Sequence, residues 1–230
     1  MTDKDFVENY RLYSPDSSML LMNYSLDIGA FGYTIGFVAI LKKSELNKNL
    51  RDFTVSKQYI NYQWLDNQTL SAKIDILPYL RSGEDIDLEE ENMNGIKIKI
   101  SAYDYIDKDD HLVVEHREIS PNGQYELVVY RYMKDHLNVK FIHVSVIPTG
   151  SKIPRHGNYL IADRHSDYVF YGHWNKDNTL QLYSNKQYAD LVQYFFVENR
   201  PDIPYQLVVD DKNYGDKYRW MEKSSLTFYK

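Results

Sequence analysis

Ser14-Pro15-Asp16 and Ser120-Pro121-Asn122 stand 106 residues apart, and their relation decides how the chain is read. At the same spacing, Phe37-Val38-Ala39-Ile40-Leu41 falls on His143-Val144-Ser145-Val146-Ile147. Further on, Trp64-Leu65-Asp66-Asn67-Gln68-Thr69-Leu70 falls on Trp174-Asn175-Lys176-Asp177-Asn178-Thr179-Leu180, 110 residues later. Matched landmarks in the same order predict an internal duplication.

Period-2 alternation around these landmarks predicts strands. In the second copy, Pro121-Asn122-Gly123 turns into Gln124 to Arg131, because proline presets φ and Asn-Gly accepts positive φ. Val139 to Ile147 is the expected partner strand. Tyr168 to Trp174 and Thr179 to Tyr183 form an expected hairpin, and Leu207-Val208-Val209 a last strand. In the first copy, Met19 to Leu26 and Ile35 to Leu41 are expected strands. Tyr59 to Leu65 and Thr69 to Ile76 make the hairpin, followed by Ile96 to Ile100 and Val113 to Glu118.

One passage departs from this pattern. Tyr188, Leu191, Val192, Phe195 and Phe196 recur at helical spacing after a capping Asn185, predicting an amphipathic helix near 186–197 that ends before Pro201. At the equivalent place of the first copy, Pro78 disfavours a long helix, and the acidic passage Glu84 to Glu91 follows. The expected fold is therefore α+β and β-dominated: two homologous antiparallel β units in tandem, residues 1–105 and 106–230, packed as one body. The joint between them centres on the polar turn Asp107-Lys108-Asp109-Asp110.

The S-P-[DN] turns before apolar strands and the W-x-D-N-x-T-L-like hairpins resemble the blade motifs of TolB-like and WD40-like β-propellers. They resemble still more a class of small bacterial β domains that open on S-P-D-G-K-Y and finish on W-x-D-D-x-x-L. The resemblance covers Ser14 to about Ala72 and Ser120 to about Tyr183. It implies a β fold and brings no catalytic residue. Two units cannot close a ring of the usual 4–8 blades, and a repeat of 106 exceeds a blade of about 40–45 residues, so a duplicated sheet or sandwich unit is expected.

The totals narrow the function classes. A formal net charge of −6 disfavours nonspecific nucleic-acid binding. The absence of cysteine removes disulfides, thiolate nucleophiles and Cys-ligated metals. The longest uncharged apolar stretch, Ile28 to Leu41, is shorter than the roughly 20 residues of a membrane span and is broken by Gly29, Gly32 and Gly36. No leader precedes it in the chain as written, which predicts a cytoplasmic protein; a leader upstream of Met1 would make it extracytoplasmic. The 22 tyrosines suit half-buried strand faces or a recognition surface.

Candidate chemistry is sparse. His156, His165 and His173 lack the close spacing of a zinc site, and the acidic run Glu84 to Glu91 lacks the glycine register of an EF-hand, so no metal or other cofactor is expected. Phosphate-binding and nucleophile-elbow motifs are missing. Gly29, Phe31, Gly32 and Tyr33 are the sharpest hint: where the second copy has polar Asp135-His136-Leu137-Asn138, the first has flexible glycine with aromatic anchors, the chemistry of an interface. The resulting expectation is a non-catalytic protein-binding module, such as an immunity-type or accessory protein of a bacterium, with another protein as partner. The rivals are a hydrolase using Asp163, His165 and His173, and an extracytoplasmic sugar-binding or envelope module.

Overall fold

The computed structural model describes residues 6–27, 34–46, 50–54, 59–134, 137–138, 141–163, 171–184 and 194–209. Strands dominate these residues, and most strand pairs are antiparallel. The chain divides into two compact units. Unit 1 is Met1–Ile76 with Ile86–Asp104; unit 2 is Leu77–Asp85 with Tyr105–Lys230.

Unit 1 holds two sheets. The first is an antiparallel meander of β1 (Phe6–Tyr13), β2 (Met19–Asp27) and β3 (Thr34–Lys42). The second contains β4 (Asn61–Trp64), β5 (Thr69–Asp75), β6 (Glu91–Met93) and β7 (Ile96–Tyr103) in the order β4-β5-β7-β6, with β5 and β7 parallel. One face of the first sheet, with Leu20, Met22, Tyr24, Leu26, Ala39 and Leu41, is buried against Phe37, Leu46 and Phe53. Leu46 follows the 3-10 turn Lys43–Glu45, and Phe53 ends the 3-10 turn Leu50–Phe53. The two sheets are tied by Trp64 Nε1, which donates to Leu12 O at 3.0 Å, and by Asn94 Nδ2, which donates to Ile40 O at 2.7 Å.

Unit 2 has a first sheet of β8 (His111–Ile119), β9 (Tyr125–Lys134), β10 (Leu137–Asn138), β11 (Phe141–Pro148) and β12 (Leu160–Asp163), with β9 between β8 and β11. Its second sheet runs β13 (Tyr171–Trp174), β14 (Leu180–Ser184), β15 (Tyr205–Val209), and β14 and β15 are parallel. Leu127, Val129, Ile142, Val144 and Val146 of the first sheet share one core with Trp174, Leu180 and Leu182 of the second. The opposite face carries Val128, Tyr130, Tyr132 and Ile147, covered by Tyr105, Ile106 and Ile153.

The helix α1 (Leu77–Ser82), six residues with Pro78 in its first turn, belongs to unit 2. Arg81 donates from Nη2 and Nε to Ile161 O at 2.7 and 3.1 Å and lies over the Phe195 ring. Most of the helix expected near 186–197 falls outside the described residues. Its described end is a 3-10 turn at Tyr194 and Phe195, and Phe196 bridges to Leu160 as extended chain.

The S-P turns show why their residues recur. Ser14 and Ser120 are buried, and each hydroxyl donates to the side chain two residues on, Asp16 or Asn122. Each also accepts the first N–H of the next strand, from Met19 or Tyr125, both at 3.0 Å. The backbone N–H of Asp16 donates to Asn67 Oδ1, and that of Asn122 to Asn178 Oδ1, both at 2.9 Å. Trp174 Nε1 donates to Glu118 O at 3.2 Å, as Trp64 does to Leu12 O. Serine, Asx and tryptophan thus satisfy the backbone where hairpin and strand meet.

Candidate functional site

The first strand of each unit is a sheet edge: among the described residues β1 pairs only with β2, and β8 pairs with β9. Both strands carry a bulge, at Asn9 and at Glu115, residues again 106 apart. A bulge re-aims side chains, and the two units use it differently. In unit 1, Val7 pairs with Ser25 and Tyr10 with Asn23, so both lie on one sheet face. Asn9 Nδ2 lies over them, donating to Asn23 Oδ1 at 2.7 Å and to Ser25 Oγ at 2.9 Å. Val7 is 52% and Tyr10 40% exposed, and Gly36, paired with Ser25, adds no side chain. The result is an open patch of one aliphatic and one phenol with a polar amide–hydroxyl cluster.

In unit 2 the bulged Glu115 instead pairs with Arg131 at 2.6 Å, and both side chains are largely buried. The opening seen in unit 1 is here filled by an ion pair. Leu112, Val114 and Ile119 remain exposed on β8.

Gly29, Phe31, Gly32 and Tyr33 lie outside the described residues. They join Asp27 to Thr34, which pair across β2 and β3 at the sheet end that carries Val7, Ser25 and Gly36. Asp163 closes β12, where it pairs with Phe141. His173 lies in β13, half-buried, its ring stacked on Tyr183 with centroids 5.4 Å apart. His165 is outside the described residues.

A second polar feature lies on the outer face of unit 2's first sheet. His143 is completely buried. Its ring stacks on Tyr130 (centroids 5.1 Å), Tyr105 (5.8 Å) and His156 (6.1 Å), and meets Tyr132 edge-on at 5.7 Å. Nδ1 accepts the Gly157 N–H at 3.0 Å, while Nε2 is buried with no hydrogen-bond partner among the described residues. Burial and the neighbouring His156 hold its pKa far below the ordinary value, at about 3, so the ring is neutral. Tyr130 Oη donates to Pro154 O at 2.8 Å and Tyr132 Oη to Arg155 O at 2.9 Å, and burial pushes the Tyr130 phenol upward.

The sequence held a sign of this cluster. His143 sits in a mostly apolar strand where the 106-residue spacing sets it on Phe37. Tyr24 and Phe37 make the corresponding stack in unit 1, with centroids 5.5 Å apart. No helix of the described residues is long and apolar enough to cross a membrane. Compared with known proteins, the chain matches no family model, and no curated protein or solved structure resembles it significantly.

Proposed function

We propose that this chain is a non-catalytic protein-binding module built from two homologous β units. Its partner would be held at the open end of unit 1's first sheet. The observation that carries this reading is the exposed pair Val7 and Tyr10 beside the Asn9–Asn23–Ser25 cluster, on an edge strand. An edge strand offers unpaired backbone groups, and an exposed aliphatic–phenol pair offers area at low conformational cost. We assign Phe31 and Tyr33, which lie in the sequence between Asp27 and Thr34, to the same partner. Homology of the units is supported by the repeated serine, Asx and tryptophan hydrogen bonds and by bulges at matching positions. The role we favour within this class is neutralisation of another bacterial protein, which suits a small chain of net charge −6.

The test uses a photo-crosslinking residue at Gly36, exposed beside Ser25 with open space for a side chain, in the otherwise wild-type chain, in Val7→Glu/Tyr10→Glu and in Phe31→Ala/Tyr33→Ala. Each is exposed to lysate of the source organism. One stoichiometric crosslinked protein, lost in the Glu double variant while the melting curve is unchanged, is expected. Equal crosslinking by all three chains would sink the assignment.

A further inference from the structure

We infer that unit 2 carries an acid-sensitive strap: protonation of His143 releases the segment 150–157 from the outer face of the first sheet. Unit 1 lacks this response, because Phe37 stands where unit 2 has His143.

The strap is pinned at both ends. At one end Thr149 Oγ1 donates to Gly123 O at 2.8 Å. At the other, Asn158 bonds Val146 twice, through Oδ1 to the N–H and through Nδ2 to the carbonyl, both at 3.0 Å. Between the pins Ile153 packs on the sheet, and hydrogen bonds hold the segment to it: the Tyr130 and Tyr132 hydroxyls on the carbonyls of Pro154 and Arg155, and, as the last of three, the Gly157 N–H on His143 Nδ1. Gly157 lies so close that an added Cβ would stand 2.5 Å from Leu160 O.

The last of the three contacts can be made only by a neutral imidazole. Once Nδ1 takes a proton, two N–H groups face each other, and a cation is left without water. The groups around it offer little relief. β9 contributes the phenols of Tyr130 and Tyr132, the strand's own neighbours are Phe141 and Ser145, and the chain before β8 contributes Tyr105. The strap contributes His156 and Arg155, whose guanidinium donates to Ile106 O. On β12, Ile161 pairs with His143, and the strand's acidic residue, Asp163, with Phe141. His156 disfavours a charge on His143.

The direction follows from linkage. In the released strap His143 has an ordinary pKa near 6.5; in the closed one it is about 3. The closed state is therefore fully favoured above about pH 6.5. Below that, its advantage falls about tenfold per pH unit until the lower value is reached. Release would uncover the cluster of Tyr130 and Tyr132, on which Ile153 of the strap packs.

The test is amide exchange on the full chain between about pH 7.5 and about pH 4.5, with each rate divided by its intrinsic value at that pH. Wild-type peptides covering 150–157 should open about tenfold more per unit below pH 6.5. In His143→Phe they should stay flat, as should peptides from 34–46 in both chains. The same rise in His143→Phe, or an equal rise in 34–46, would overturn the proposal. If His143→Phe does not fold, ¹³C-histidine NMR of the wild type decides. A His143 ring that titrates near pH 6.5 while 150–157 stays protected refutes it, and a ring that charges only as the strap opens upholds it.

Discussion

Tyr24 stacked on Phe37 and Tyr130 stacked on His143 are one arrangement in two chemical versions. In unit 1 the pair is hydrocarbon with one phenol tip, which shares a hydrogen bond with Thr54 Oγ1 at 2.8 Å. In unit 2 the second ring is polar, and a strap is needed to satisfy one of its nitrogens. The bulges tell the complementary story. Asn9 leaves unit 1 with an open amide-lined patch, whereas Glu115 closes the same place in unit 2 with Arg131. Similar turns and bulges therefore frame an open polar surface in one unit and a buried polar interior in the other. The difference lies in a few side chains, because the turns and bulges position whichever residue occupies them.

The largest test of this comparison is the pair of tryptophans. Trp174 is nearly buried in the shared core of unit 2, while Trp64 is half-exposed. Trp174→Ala should cost about 3–5 kcal/mol, from lost packing and the orphaned Glu118 carbonyl. Trp64→Ala should cost measurably less. Denaturant unfolding of both variants, with exchange mapping to show which unit opens, checks the order. Equal costs would mean that the half-exposed tryptophan is held by more than its hydrogen bond to Leu12 O.

The next effect concerns the phenols. Tyr130→Phe leaves the Pro154 carbonyl without its donor under the strap and should cost about 1–3 kcal/mol, whereas Tyr24→Phe breaks a hydroxyl–hydroxyl bond at about 1 kcal/mol. Loss of protection confined to 150–157 in Tyr130→Phe would sharpen the contrast. Uniform loss across unit 2 would break it.

A smaller effect separates the units in acid. Glu126, almost buried, is held below the usual carboxylate range chiefly by hydrogen bonding to Arg117. Its contribution is present above the unfolded value of about 4.3 and is lost as the pH falls through the lower native value. The matching position in unit 1 is Leu20, and the matching Arg11 pairs instead with Glu8 on its own strand. Glu126→Gln should therefore flatten the acid limb of unit 2's stability below about pH 4.3 and leave unit 1 unmoved. Melting at stepped pH, resolved by unit, measures this.

Much of the β architecture could be read from the sequence, by alternation in β7 and by apolar runs after turn residues in β2 and β9. The first strand escaped because the Asn9 bulge breaks the period of Phe6–Tyr13, placing Val7 and Tyr10 on one face at odd spacing. The strand Leu160–Asp163 escaped because four residues are too few to show a period, although Leu160, Ile161 and Ala162 are all fully buried. Pro78 argued against a long helix, and the six-residue α1 that forms there, attached to unit 2 through Arg81, had no local signal. The histidine cluster was half legible. The substitution of His143 for Phe37 is visible in the spacing, while the approach of Tyr105 and His156 depends on tertiary packing. The exposed patch depends on the bulge and could not be seen from composition.

The smallest effect tests the turns themselves. Ser17 and Gly123 occupy the same place in the two S-P turns, and both have positive φ, 59° and 73°. Such a backbone costs a side chain about 1–2 kcal/mol, which glycine avoids. Glycine, however, loses more freedom on folding, by roughly 0.5–1 kcal/mol. For Ser17→Gly the first term is the larger, so a gain of up to about 1 kcal/mol is expected. Gly123→Ala has open space around its new methyl and meets the same two terms with opposite sign, so a net loss of about 1 kcal/mol is expected. Measured together by denaturant unfolding, the two should be small and opposite. A large loss for Ser17→Gly would show that the Ser17 side chain does more in its turn than follow the backbone, and that the two S-P turns are held differently despite their shared serine and Asx hydrogen bonds.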